Sequence, residues 1–372
     1  MPLGDGLLRW AEVDTAALRE NAAAIVGHVG AGCAVMAMVK ADAYGHGATV
    51  AARAFIEGGA GWLGVSSPEE ALALRAAGIE APLLNVNWTP PQRYAALVGA
   101  GVEMALWDAS AVAGLTEAAR GAGRAARVHL KVDTGMHRLG AERDRLAELI
   151  TAVAASGGAV ELSGVFTHFA DADAPDLEFT ELQNRGLLEA WARIVDSTGR
   201  TPLRHAANSA ATLRLAAAHH DLVRPGIALY GYPPPHATGI VALRPAMTVR
   251  ARVTRVSTVR PGESVGYGRS WTATRPTRVA VVAAGYADGM RRDQANRGSV
   301  LIKGVRCPLL GRVSMDQISV DVGEVDALQP GEPATLFGPG ALTADHVAAV
   351  SGTVCYEILC GISARVVRQV CS

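Results

Sequence analysis

Lys40 ends the apolar run Val35-Met36-Ala37-Met38-Val39 and opens the polar turn Ala41-Asp42-Ala43-Tyr44-Gly45-His46-Gly47. It is one of only three lysines, with Lys131 and Lys303, against 32 arginines. A desolvated ammonium can lose its proton and then act as a base or form a Schiff base, whereas a guanidinium stays charged. A chain that uses arginine by default keeps lysine where a neutral amine is wanted, or where one merely survives in a solvated turn. Lys303, in Leu301-Ile302-Lys303-Gly304-Val305, fits the second description, at a hairpin tip. Lys40 fits the first, because its strand is apolar on both faces and therefore buried.

Other polar residues follow apolar runs in the same way. Lys131, Asp133 and Arg138 follow one, and His168 ends another. Asn208-Ser209 open a helix, and Arg224-Pro225-Gly226 lies in a later run. A hydroxyl beside the free amides of a helix N-terminus makes an anion site suited to phosphate. Taken singly, each has an ordinary explanation: a core histidine at 168, a helix cap at 208 or 209.

The elements that must position these residues alternate from about 33 to 230. Strand candidates are 33–40, 61–66, 82–86, 103–108, 127–133, 162–169, 203–207 and 222–230. Helix candidates between them include 46–58, 68–78, 110–121, 142–156 and 177–198. Pro68 with Glu69-Glu70 opens one helix and Gly78 closes it, as helix ends prefer. Eight strands alternating with helices argue for a parallel (β/α)8 barrel, whose catalytic groups sit at the C-terminal strand ends. Apart from Lys303, the polar residues named above fall at or just beyond such ends. After Tyr232-Pro233-Pro234-Pro235 the texture changes to strand-like runs at 249–259, 278–284, 299–310, 312–322 and 334–337, with a short helix near 343–351. This reads as a mostly antiparallel β domain. The expected organisation is a barrel over 1–240 and a β domain over 241–372, with 8–13 a candidate strand of the latter.

Composition narrows the class. Formal net charge is zero, which gives no electrostatic footprint for nucleic acid. No apolar run approaches a membrane span, and the start lacks a signal-peptide core. Cysteines at 33, 307, 355, 360 and 371 have no paired metal spacing and read as reduced thiols. The expectation is a soluble cytoplasmic enzyme without a bound metal.

A Schiff-base lysine facing a phosphate cradle suggests pyridoxal phosphate (PLP), whose aldehyde condenses with amines and whose ring accepts carbanion electrons. The run Met38-Val39-Lys40-Ala41-Asp42-Ala43-Tyr44-Gly45-His46-Gly47 resembles the cofactor-lysine signature of the alanine racemase family. The resemblance continues in order through Lys131-Val132-Asp133-Thr134-Gly135-Met136-His137-Arg138, Thr167-His168-Phe169-Ala170 and Arg224-Pro225-Gly226-Ile227. In the second domain it includes Gly266-Tyr267-Gly268-Arg269, Gly285-Tyr286-Ala287-Asp288-Gly289, Gly311-Arg312-Val313-Ser314-Met315-Asp316-Gln317 and Tyr356-Glu357.

The resemblance implies interconversion of L-alanine and D-alanine by two-base proton transfer on an external aldimine of PLP, supplying D-alanine for peptidoglycan. Lys40 would hold PLP and serve the D-enantiomer, and Tyr267 would serve the L-enantiomer from the opposite face. A basic phenolate needs positive neighbours, and His168 and Arg224 are the ones implied. Arg224 would face the pyridine nitrogen and disfavour its protonation. Tyr44, Asn208, Ser209, Tyr356, Gly226 and Ile227 would surround the cofactor, mainly its phosphate. Arg138 and the amide of Met315 would hold the substrate carboxylate. Lys131, carbamylated in some members, would orient Arg138. Tyr286 and Asp316 would be supporting residues, each with an ordinary alternative as a core aromatic and a local ion-pair partner. The family pairs head to tail, which implies a homodimer with shared sites. His137 and Ser314 depart from the family's small residue and cysteine, both beside the carboxylate site.

Two other readings stand beside this one. A PLP decarboxylase of similar architecture would need an acidic residue at the pyridine nitrogen, where this chain offers Arg224. A non-enzymatic PLP-binding barrel would lack a second domain.

Overall fold

The structure is a computed structural model and describes residues 3–372. The chain forms two compact units. One contains Leu18–Ala43 and Ala48–Leu243; the other contains the residues up to Ala17, Tyr44–Gly47 and Arg244–Ser372.

In the first unit, strands β2 (Ala34–Met38), β3 (Trp62–Val65), β4 (Leu83–Asn85), β5 (Glu103–Leu106), β6 (Ala126–Lys131), β7 (Val160–Phe166), β8 (Leu203–His205) and β9 (Leu222–Val223) pair in parallel; β1, Arg9–Asp14, belongs to the other unit. The order β8-β7-β6-β5-β4-β3-β2-β9 wraps into a nearly closed eight-stranded barrel. The strands are short and almost wholly buried, as a parallel sheet covered on its outer face requires. Helices such as Ala48–Glu57, Pro68–Ala76, Ala111–Ala122, Leu146–Ala155 and Glu178–Thr198 fill the crossovers. Ser67 caps Pro68–Ala76 by accepting the Glu70 amide at 3.2 Å, and Pro68 occupies the first turn, where no amide proton is needed.

Three boundaries differ from the sequence reading for local reasons. The first barrel strand stops at Met38, and Ala41–Tyr44 follow with φ between 51° and 53°, a left-handed turn without glycine. The eighth strand is Leu222–Val223 alone, because Pro225 and Gly226 break it and Ile227–Tyr230 becomes a 3-10 turn. In the second unit, the run 312–322 is strand only at Ile318–Asp321.

That second unit is a mostly antiparallel sheet of β10 (Met247–Val259), β13 (Thr277–Val282), β14 (Ser299–Ile302), β15 (Val305–Leu310), β16 (Ile318–Asp321) and β17 (Pro333–Phe337), joined by β1 and β18 (Val367–Cys371); β11 (Ser264–Val265) and β12 (Trp271–Thr272) make a separate hairpin. The 13-residue β10 pairs with β17 along its first half and β13 along its second, so the sheet curls back on itself. β1 lies between β10, antiparallel, and β18, parallel. Lys303-Gly304 forms the two-residue hairpin between β14 and β15, with φ of 50° and 81°. Its ammonium lies 3.0 Å from Glu332, which is the solvated role expected of it.

Candidate active site

Lys40 lies just beyond β2 and is half-buried. The left-handed turn after it costs about 1–2 kcal/mol per non-glycine residue, so it persists only where neighbours fix it. They do so at several points. The Ala41 amide donates to Glu70 at 2.7 Å, the Ala48 amide donates to Asp42 at 2.7 Å, and the Ala43 amide donates to the Val39 carbonyl at 2.9 Å. Below the turn, the Tyr230 hydroxyl donates to the Met38 carbonyl at 2.8 Å.

Lys131 ends β6 with its ammonium 5.5 Å from the Phe166 ring centre and 5.9 Å from that of Trp107. Burial pushes its pKa down to about 8, with help from Arg224, Arg138 and Lys40 and against the pull of Asp133. Asp133 accepts the amides of Gly135, Met136 and His137 at 2.9, 3.1 and 3.1 Å. Its work is therefore to shape the loop that carries Arg138. His137 sits in that loop at φ 53°, with its imidazole 3.4 Å from Asp133.

Arg224 is 4% exposed. It donates to the Thr167 carbonyl at 2.7 Å, the Ala206 carbonyl at 2.9 Å, His205 Nδ1 at 2.7 Å and His168 Nδ1 at 3.3 Å. Burial lowers its pKa to about 9, which leaves it charged at neutral pH. His168 is held well below the usual histidine range, first by burial and then by Arg224, Arg138, Lys131 and Lys40. These surroundings disfavour the charged form of His168, against the expectation of a positive imidazole there, and leave Arg224 as the buried cation beside it.

Ser209 Oγ accepts the amides of Gly226 and Ala228 at 2.8 and 3.3 Å, leaving its own proton unused by either bond. Asn208 caps the helix Ser209–Arg214 through the Ala211 amide at 3.1 Å, the ordinary role allowed for it. Lys40, Lys131, Arg138 and Arg224 are thus close enough to act together on one neutral imidazole, with Asp133 as the nearby carboxylate. Such a surplus of positive charge calls for anionic ligands. An amine-reactive aldehyde bearing a phosphate fits this donor set, and so does a substrate carboxylate.

The second unit carries the remaining candidates. Tyr267 is 73% exposed on a turn bent by Gly266 at φ 72° and Gly268 at φ 69°. The Arg312 guanidinium lies over Gly268, where a Cβ would stand 2.9 Å from its carbon, so a larger residue there would have to displace that side chain. Tyr267, Tyr286, Arg312 and Met315 line an open groove of about 770 Å³. The Tyr286 and Ala287 amides donate to the Ser314 and Met315 carbonyls at 3.0 Å each, tying the two loops together. Asp316 pairs with Arg365 at 2.7 Å, the local partnership that its position allowed. Tyr44 is buried against Tyr356, with ring centres 6.1 Å apart, and burial raises its phenol pKa further above the usual value.

The sequence reading passed over Glu103, His129 and His205, which form a buried chain with Arg224. A signal was present. Arg127, His129 and Lys131 recur at every second position of one strand and so share its face.

Residues 13–234 match the family described as alanine racemase, N-terminal domain, and residues 246–370 match alanine racemase, C-terminal domain. The chain is 42% identical over 363 residues to an alanine racemase of Symbiobacterium thermophilum, covering 96% of each chain. It superposes on the alanine racemase of D-cycloserine-producing Streptomyces lavendulae with a TM-score of 0.93 at 40% identity, covering 98% of this chain and 97% of that one. The alanine racemase of Bartonella henselae, solved with covalently bound pyridoxal phosphate, matches with a TM-score of 0.87 at 30% identity, over 98% and 99% of the two chains.

Proposed function

Because the chain belongs to the alanine racemase family of PLP-dependent isomerases, we propose that it interconverts L-alanine and D-alanine with Lys40 and Tyr267 as its two bases. The observation that carries this reading is the placement of Lys40, Lys131 and the buried Arg224 at the C-terminal ends of barrel strands, with Arg224 3.3 Å from His168. PLP, when bound, links to the amino group of alanine and takes up the electrons left when the α proton departs.

The protein supplies everything else. Lys40, released from the cofactor by substrate, takes or returns the α proton on the D-specific face. Tyr267 does so on the L-specific face; inversion requires two groups, since a planar centre must be reprotonated from the side that did not lose its proton. Arg224 keeps a fixed positive charge at the pyridine nitrogen, which disfavours a proton there and limits side reactions. Ser209, oriented by the Gly226 amide that donates to its Oγ, holds the phosphate together with the Ile227 amide and the phenols of Tyr44 and Tyr356. Arg138 and the Met315 amide hold the substrate carboxylate, with Asp133 and Lys131 setting the position of Arg138. Tyr286 stands at the entrance.

The same reading extends to a head-to-tail homodimer with shared sites, in the cytoplasm, making D-alanine for peptidoglycan; family resemblance supports these points. Among the described residues no helix is long and apolar enough to cross a membrane.

The test is to reduce the holoenzyme with borohydride, map the modified lysine, and follow alanine by chiral chromatography. Lys40→Ala should abolish both racemisation and the visible absorption of the bound cofactor, while Lys303→Ala leaves both intact. Stoichiometric trapping on another lysine in the Lys40 variant would overturn the assignment.

A further inference from the structure

The barrel interior holds a polar chain that the two-base mechanism does not use. Arg224 Nη1 lies 2.7 Å from His205 Nδ1, and His205 Nε2 lies 2.7 Å from His129 Nδ1. His129 Nε2 in turn lies 2.9 Å from Glu103 Oε2. The other carboxylate oxygen of Glu103 takes Arg127 at 2.9 Å, at the end of β6 opposite Lys131. Glu103 is 3% exposed and both imidazoles are fully buried.

The direction of every proton follows from the ends. Arginine has only donors, so His205 Nδ1 must accept. Its single proton then sits on Nε2 and is donated to His129 Nδ1. That leaves the His129 proton on Nε2, where the Glu103 carboxylate accepts it. Both imidazoles are neutral, every ring nitrogen is used, and a cation and an anion close the two ends. Burial and the Arg224 charge hold His205 well below the usual histidine range, in keeping with this assignment.

The surroundings are built around the chain. A Cβ at Gly164 would lie 2.3 Å from His129 Nδ1, so only glycine leaves room for the His129–His205 contact. Phe166 stacks on His205 with ring centres 4.7 Å apart and planes 6° from parallel. Trp62 meets His129 edge-on at 5.7 Å. Barrel interiors are ordinarily filled by branched apolar residues, and burying a carboxylate is costly unless it is fully bonded. A cluster with only a packing role gains nothing from that cost.

We propose that Glu103, His129 and His205 are positioning residues that fix the orientation of Arg224 and weaken its field at the cofactor's pyridine nitrogen. The carboxylate makes His129, and through it His205, a better acceptor, which draws positive charge of the guanidinium away from the ring. The inference rests on the placement of Arg224 under Proposed function.

Solid-state 15N NMR of holoenzyme carrying labelled histidine and pyridine-labelled PLP tests both halves. In the unaltered protein, His129 and His205 should each show a protonated Nε2 and a bare Nδ1; a protonated Nδ1 on either ring overturns the chain, and this reading needs no variant to fold. Glu103→Gln keeps the shape and, with its oxygen toward His129, the acceptor for that ring, but gives up the acceptor for Arg127 and removes the charge, so the pyridine resonance should move upfield, toward a stronger hydrogen bond. An unmoved resonance with the histidine pattern intact makes the chain purely structural and overturns the proposal. If the unaltered holoenzyme already shows a pyridine nitrogen free of any hydrogen bond, the placement of Arg224 fails instead.

Discussion

At the scale of single residues, the decisive quantity is which amines are neutral. Lys131 sits among three other cations and is brought to about 8, so a sizeable neutral fraction exists in mildly alkaline solution. Only a neutral amine adds carbon dioxide. A carbamate there would turn a repelled cation into an anion facing Arg138, relieving the crowding that lowers the pKa. Holoenzyme in 13C-bicarbonate should therefore show a carbamate signal that grows as pH rises through about 8. Lys131→Arg should lose it. No signal at any pH in the unaltered protein would mean that the neutral amine is not open to carbon dioxide.

At the scale of elements, the turn Ala41–Tyr44 holds four consecutive left-handed residues without glycine. Replacing exposed Ala41 with glycine removes a Cβ that opposes this conformation. The expected gain is about 0.5–1 kcal/mol in unfolding free energy, after allowing for the greater freedom of glycine in the unfolded chain. Denaturant unfolding reads it, and a loss of stability would contradict the strain. This turn was not legible in the sequence, because Asp42 alone among its residues tolerates the left-handed region and Ala41, Ala43 and Tyr44 do not favour it; bonds to Glu70 and Val39 impose it. The alternation of strands and helices was legible, since it depends on local periodicity. So was the clustering of cations, because each one follows an apolar run and barrels bring such ends together. The histidine chain was not, because strand periodicity gives the face of a side chain but not the neighbour it meets across a barrel. β18 was missed for a related reason: Val367–Cys371 carries two polar residues among five, and its pairing with β1 joins the two ends of the chain.

At the scale of the whole molecule, the proposed site takes Lys40 from one protomer and Tyr267 from the other, in an isologous pair. Lys40→Ala and Tyr267→Ala should each be nearly inactive. Refolded together, about half the dimers are hybrids with one intact site of two, so about a quarter of full activity should return. Differently tagged chains confirm hybrid formation, and no recovery in confirmed hybrids would exclude the shared site. The claim that two bases work from opposite faces is tested most directly by α-proton exchange of each enantiomer in heavy water. With Tyr267→Phe, D-alanine should exchange its α proton through Lys40 without inverting, while L-alanine should keep its own. Exchange of both enantiomers at similar rates, or continued racemisation, would contradict the assignment of Tyr267.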